Sequence, residues 1–445
     1  MPMQRPISVL IPLLTIALAL GGATAARAQM HGPMQGPPGT MHFPGGGMPS
    51  LPPAMPPAVP HVPHVPHVPH VPSVIGPPGM ASVPSMQHVD HLLHGPRAVT
   101  RRSQIRTLLR EEPGRVAVDP QGAPVLRGEF LALGLSGRQL HAVRAQGFAA
   151  GRPSPADATL GLDLAVLHDT RGRSEAEAMR VLQQAAPKAT FAYQHIYMPA
   201  GDGGAAPDHA SAMGSSASMP RRVGLIDGGV DPAAPALAHA HIEQHGCNRP
   251  NVSNHGTAVA ARLVDGDSDT LYAADLWCGD KVGGATSGLV DALAWMARER
   301  VPVINISLVG PDNPVLARAV RAMIARGHVL VSAVGNDGPA APPLFPAAYP
   351  GVIGVSGVDA HDRVLPESGS GEQVAFCASG VVGRGSDALR GTSFAAPIVA
   401  RRAAELLDAP RVGAAAQILR RLASEARDLG PPGRDTRYGY GLLSP

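Results

Sequence analysis

Val223-Gly224-Leu225-Ile226-Asp227-Gly228-Gly229-Val230 is the stretch from which the rest of the chain can be read. Its short apolar run halts at an acid and two glycines, the profile of a buried strand ending in a tight turn. Downstream, residues 303–306, 329–334 and 352–358 repeat that form. Longer segments at 255–263, 288–298, 314–326 and 392–407 read as helices between or after these strands. Parallel strands are apolar on both sides and need long crossovers, so the alternation predicts a mostly parallel α/β sheet with helices on both faces. In such sheets the working site lies at the carboxyl ends of the strands, which is where Asp227 stands.

Upstream, residues 97–200 are also globular in composition. Strands are expected at 125–133, 160–168 and 189–197, with helices at 136–146 and 174–186; Ser136 is a candidate N-cap. That order predicts a small α/β sandwich with helices on one face. Residues 201–219, rich in Gly, Ala, Ser and Met, read as an exposed linker. Residues 29–96 are Pro, Gly, Met and His, cannot fill a core, and are expected to be disordered. Within them Val-Pro-His repeats place His61, His64, His67 and His70 on one face of an extended polyproline rod. A stiff solvated spacer is the simpler reading. With the preceding Met30, Met34, Met41, Met48 and Met55, copper or another soft metal is the alternative.

Arg5, the apolar run 7–20 and Ala26-Arg27-Ala28 read as an export signal over residues 1–28, with cleavage before Gln29. That run is short for a bilayer span, which takes ~20 apolar residues, and no later segment is long and apolar enough. No membrane span is therefore expected after signal removal. Hydrophobic residues make up 44% of the 445, but aromatics only 3%, so the core must be built of Ala, Val, Leu and Ile. The net charge is +3 with no basic cluster interleaved with aromatics, so nucleic-acid binding is not expected. Of the three cysteines, Cys247 and Cys278 could pair after export, leaving Cys377 as a small buried hydrophobe.

Three segments place polar residues after strands or at helix starts: the one above, Asn254-His255-Gly256-Thr257-Ala258-Val259-Ala260, and Gly391-Thr392-Ser393-Phe394-Ala395-Ala396-Pro397. Singly, Asp227 could be a turn residue, His255 a packed core histidine and Ser393 a helix N-cap. Together, in the order Asp, His, Ser, residues 221–443 resemble the subtilisin-like serine peptidases. Val331-Ser332-Ala333-Val334-Gly335-Asn336-Asp337-Gly338-Pro339 resembles the family's oxyanion segment, and Val303-Ile304-Asn305-Ile306-Ser307-Leu308 the strand lining its substrate channel. Phe345-Pro346-Ala347-Ala348-Tyr349-Pro350 and Tyr438-Gly439-Tyr440-Gly441 match further family segments. The resemblance implies a subtilisin-like sheet, Asp227, His255, Ser393 and Asn336 as catalytic residues, and Ser307, Leu308, Val309 and Gly310 as substrate-binding residues. It implies protein or peptide substrates, no cofactor and a monomeric enzyme.

The chain also departs from the family. Gly228 stands where relatives carry Thr or Ser, so one hydrogen bond to the Asp227 carboxylate is missing or supplied elsewhere. Val309-Gly310 replaces a pair of glycines; Val309 either narrows the primary pocket or points away. Insertions that build calcium sites in many relatives are not evident, and no calcium is expected. The resemblance implies that residues 97–200 are an α/β (ferredoxin-like) prodomain and intramolecular inhibitor, self-cleaved between about 198 and 220; the alternative is a permanent accessory domain. The rival readings are a catalytically silent relative acting as a binding protein and a metal-handling envelope protein.

Overall fold

The computed structural model describes residues 101–444 except 152–153, 201–219, 250, 265–268, 384 and 386–387. The signal-like start, the segment bearing His61, His64, His67 and His70, and the linker lie outside the described residues. All described residues belong to one compact unit.

The unit begins with α1 (Arg101–Glu111), β1 (Val116–Val118), β2 (Pro124–Leu133), α2 (Gly137–Ala145), β3 (Phe148–Ala150), α3 (Pro155–Leu160), β4 (Leu164–Asp169), α4 (Glu175–Ala185) and β5 (Thr190–His195). The strands pair antiparallel in the order β5-β2-β4-β3, with β1 folded back onto the start of β2. Ser136 does cap α2, in a reciprocal box with Gln139, and Ser174 caps α4. Successive side chains of a strand point to opposite faces, and β2 uses both. Phe130 and Ala132 pack with Val143, Leu167, Ala178 and Leu182 under α2 and α4. Leu131 and Leu133 join the core of the larger domain instead. The strand expected at 160–168 starts only at Leu164, because Leu160 closes α3 and Asp163 takes a left-handed φ of 49° that breaks the chain direction. Helices α1 and α3 and strands β1 and β3 were not anticipated; each is short or too polar to show a clear period.

The larger domain follows β6 (Met198–Pro199). It comprises β7 (Arg222–Asp227), β8 (His241–His245), α5 (Asn254–Leu263), β9 (Thr270–Asp275), α6 (Thr286–Arg298), β10 (Val303–Ile306), β11 (Leu308–Val309), α7 (Pro314–Ala325), β12 (Val329–Ala333), β13 (Ile353–Val358), β14 (Val374–Ser379), β15 (Val381–Val382), β16 (Leu389–Arg390), α8 (Thr392–Ala404) and α9 (Ala414–Glu425). Its seven-stranded sheet runs β14-β13-β12-β10-β7-β9-β8, every pair parallel. Alternation along β12 sorts Val329, Val331 and Ala333 to one face, with Val259, Phe394, Val399 and Ile418 of α5, α8 and α9. Leu330 goes to the other, with Leu293, Leu316 and Met323 of α6 and α7. Each fully buried Leu or Phe on these faces is worth about 1.5–3 kcal/mol relative to exposure.

Leu131 and Leu133 of β2 share that second core with α6 and α7, so the small sheet sits on those two helices. Cys247 and Cys278 form a disulfide between the chain just past β8 and just past β9, and Cys377 in β14 is buried and unpaired. Burial pushes the Cys377 thiol up to about 12, so it stays protonated and inert. No helix among the described residues is long and apolar enough to cross a membrane.

Candidate active site

Asp227 ends β7 at the carboxyl edge of the sheet and is fully buried. His255 is the second residue of α5, whose N-cap is Ser253. Gly256 lets that helix come close: a Cβ there would stand 2.4 Å from the Gly228 carbonyl oxygen. The result is a 2.9 Å hydrogen bond between His255 Nδ1 and Asp227 Oδ1. The ring tilts against Phe394 at 5.3 Å between centroids, and its Nε2 lies 2.9 Å from Ser393 Oγ.

Ser393 is not the N-cap of α8. The helix begins at Thr392 after Gly391, which makes no side-chain cap, so the Ser393 hydroxyl is left for His255. Pro397 lies inside α8, beyond the first turn where proline is readily tolerated. Lacking an N–H, it cannot bond the carbonyl four residues back, that of Ser393. Ser307 Oγ donates to that carbonyl at 3.2 Å, and Asn305 Nδ2 donates to Ser307 Oγ at 2.8 Å. Ser307 thus braces the backbone beneath Ser393, a role invisible in its sequence context.

The departure at Gly228 has a structural counterpart. Gly228 N–H donates to Asp227 Oδ1 at 2.6 Å, but Oδ2 finds no hydrogen-bond donor among the described residues. A Cβ on residue 228 would stand 2.8 Å from Ser253 Cβ and Oγ, so Ser253 occupies the space of a side chain there.

The cleft is filled by the chain itself. Strand β6 pairs antiparallel with β11, Met198 opposite Val309 and Pro199 opposite Leu308. Ala200 N–H donates to the Ser307 carbonyl at 3.0 Å, and Tyr197 N–H to the Gly284 carbonyl at 2.8 Å. The Ala200 carbonyl oxygen accepts from Ser393 N–H at 3.0 Å and from Asn336 Nδ2 at 2.5 Å. Asn336 is oriented by Thr392, whose N–H donates to its Oδ1 at 3.0 Å, while Thr392 Oγ1 accepts from Gly335 N–H at 3.1 Å.

The structure therefore brings Asp227, His255, Ser393 and Asn336 into one constellation at the carboxyl edge of the sheet. Of the expected substrate-binding residues, Ser307, Leu308 and Val309 meet the chain through backbone pairing. Gly310 meets it by close approach: a Cβ there would stand 2.6 Å from the Tyr197 ring. Val309 is buried in the same apolar cluster as Ala200. Sequence reasoning missed Tyr197, Ala200, Thr392 and Gly284. A small residue directly before a glycine-rich linker was the available signal for Ala200; nothing local marks the others.

Residues 221–441 match the Subtilase family, peptidase S8. Subtilisin DY of Bacillus licheniformis is 30% identical over 251 residues, which cover 50% of this chain and 88% of that protein. The minor extracellular protease Epr of Bacillus subtilis is 28% identical over 245 residues, 50% of this chain but only 37% of Epr. Fervidolysin of Fervidobacterium pennivorans, a keratinolytic enzyme related to subtilisin, shares the fold. It superposes with a TM-score of 0.60 at 18% identity, covering 72% of this chain and 60% of fervidolysin. The chain belongs to the subtilase family of serine peptidases.

Proposed function

We propose that the chain is an exported serine endopeptidase that matures by cutting itself after Ala200. One observation carries this reading: the Ala200 carbonyl oxygen is held by two N–H donors, one of them from Ser393, whose hydroxyl is hydrogen-bonded to His255. A serine hydroxyl is a poor nucleophile until a base takes its proton, and His255 Nε2 is placed to take it. Asp227, accepting from Nδ1–H, fixes the tautomer and stabilises the imidazolium. Attack on the Ala200 carbonyl carbon puts the negative charge on the oxygen already held by Ser393 N–H and Asn336 Nδ2. The first turn of α8 adds its partial positive charge. His255 then returns the proton to the departing amide nitrogen of Gly201, and water hydrolyses the acyl-enzyme.

After the cut, the new carboxyl end at Ala200 stays seated in the cleft, which makes residues 97–200 a prodomain and an inhibitor of the peptidase beside it. Three contacts support that role: Arg101 pairs with Asp337 at 3.3 Å, Arg115 with Asp280 at 2.7 Å and Lys281 with Glu111 at 3.2 Å. The signal-like first 28 residues support export. The unpartnered Asp227 Oδ2 favours the second reading, a silent relative in which the cleft merely binds chain ends.

Ser393→Ala in the full chain separates them. N-terminal sequencing of the secreted wild type is expected to read Gly201 onward, whereas the variant stays joined at Ala200. Cleavage at that bond in the variant, or a wild type that never loses residues 97–200 and takes no serine-directed phosphonate, overturns the proposal.

A further inference from the structure

Residues 246–253 run from the end of β8 to the cap of the helix that carries His255. Residues 276–285 run from the end of β9 to the start of α6. The Cys247–Cys278 bond joins the two segments. They are held very differently.

The second segment is tied on several sides. Leu276 N–H donates to the Asp227 carbonyl at 3.1 Å and Gly284 N–H to the Leu276 carbonyl at 3.1 Å. Asp275 Oδ1 accepts from the N–H groups of Trp277 and Cys278 at 2.9 and 3.1 Å. The Gly284 carbonyl receives Tyr197 in the cleft, and Asp280, Lys281 and Val282 meet the N-terminal domain. In the first segment, none of the described residues 247–249, 251 and 252 donates a backbone hydrogen bond. The next such bond is that of Ser253 N–H to the Gly229 carbonyl, at 2.9 Å. Ser253 then caps α5, two residues before His255. The disulfide is therefore the covalent anchor of the segment that sets where α5 begins. It ties that segment to a turn which itself holds the Asp227 carbonyl and one wall of the cleft.

The anchor is also within reach of other thiols. Cys278 is exposed and Cys247 half-buried. Cys278 is held at a φ of 52°, a left-handed conformation that residues other than glycine rarely adopt. Exposed disulfides are the more readily exchanged ones. Cys377 is different: it is fully buried and its thiol is pushed up to about 12, so it takes no part in exchange.

We infer that Cys278 is a thiol-exchange site through which a dithiol reductant turns the peptidase down. One thiolate of the dithiol attacks Cys278 Sγ, the bond to Cys247 Sγ breaks, and Cys247 leaves as a thiolate that takes a proton. The second thiol of the reductant then attacks its own sulfur in the mixed disulfide and frees Cys278 as a thiol. The protein gains two electrons and two protons, and the dithiol leaves as its cyclic disulfide. With the anchor open, residues 247–252 are free to shift and α5 loses the hold that places His255 between Asp227 and Ser393. The inference rests on the peptidase reading above and adds a control to that site.

The test uses processed enzyme made from the full chain, treated with dithiothreitol, and a peptide containing Tyr-Met-Pro-Ala-Gly. Thiol titration is expected to find Cys247 and Cys278 free. Both kcat/KM and the rate at which a phosphonate labels Ser393 should fall by about 10-fold or more, since a misplacement of about 1 Å can cost about 100-fold. The fall should appear at a temperature where the reduced enzyme is still folded by thermal melting, and oxidised glutathione should reverse it. Enzyme with Cys247→Ala and Cys278→Ala should start low and ignore dithiothreitol. Full activity with both thiols free, a disulfide that resists dithiothreitol in the folded enzyme, a loss that comes only with melting, or an equal response in the alanine pair overturns the inference. Reduction and reoxidation of the wild type decide even if the alanine pair fails to fold. If the oxidised enzyme neither cuts nor takes label, the peptidase reading fails and the inference with it. If it cuts and labels equally well in both redox states, only the inference fails.

Discussion

Acid is expected to loosen the hold of residues 97–200 on the peptidase, through His195. This residue ends β5, is buried, and faces the larger domain. Its Nδ1 lies 3.0 Å from Asn313 Nδ2. Asn313 Oδ1 accepts from the Val315 and Leu316 N–H groups as the N-cap of α7, so its amide orientation is fixed and Nδ2 must donate. Nδ1 is therefore the acceptor, and Nε2–H donates to Asp119 Oδ2 at 3.0 Å. A proton added at Nδ1 would face another donor. Burial lowers the His195 pKa below its usual value and outweighs the opposing pull of Asp119 and Asp312, with Arg101 adding to the lowering. After release the domain keeps Asp119 but sheds the burial and the Asn313 amide, so the free form binds the proton more readily. Stability of the complex is thus fully present above the free pKa and falls as pH drops from there toward the depressed value in the complex. One proton per release means a dissociation constant that rises by up to about tenfold, or about 1.4 kcal/mol, per pH unit in that window. The assay is binding of the labelled, cleaved N-terminal fragment to the peptidase between about pH 7.5 and pH 5.5. His195→Asn offers Asn313 an uncharged acceptor and should flatten the slope. An equal slope in that variant, or tighter binding in acid, refutes the reasoning.

Asn336→Ala removes one of two donors on the Ala200 oxygen and should slow both self-cleavage and turnover by ~10²–10³; the figure comes from subtilisin, a relative, and is carried over. Normal phosphonate labelling of Ser393 with undiminished turnover would assign the oxygen to other donors. Gly228→Ser should weaken activity and stability, because its Cβ would stand 2.8 Å from Ser253. Pairing it with Ser253→Gly, which opens the space, should recover part of the loss; steady-state kinetics and thermal melting of the two variants measure this. Replacing Cys247 and Cys278 by alanine opens a loop of 31 residues and should cost roughly 3–4 kcal/mol of stability, read from denaturant melts of the processed enzyme.

Much of the molecule is legible along the chain. The strands at 303–306 and 329–333 and the helix at 314–325 were readable because fully buried parallel strands are unbroken apolar runs and a proline after an asparagine marks a helix start. Strand β8, His-Ile-Glu-Gln-His, was not, because an edge strand half in water carries no apolar run. Strand β14 and helix α9 were also passed over. The first is a short Ala- and Cys-bearing segment, and the second follows a loop without a polar cap.

The candidate residues Asp227, His255, Ser393 and Asn336 could be named from local pattern, because each stands in a segment whose glycines and small residues serve a close approach. The sequence alone therefore determined the parallel α/β architecture and singled out the candidate residues. Only the tertiary structure decided what those residues lie against and how they are held. Ser307 reaching the carbonyl orphaned by Pro397 and Thr392 turning the Asn336 amide both join residues dozens of positions apart. Such contacts are set by packing of whole elements, which no local run of residues encodes. The seat of Ala200 on the Ser393 and Asn336 donors is the plainest case: it exists only because β6 pairs with β11 across the cleft.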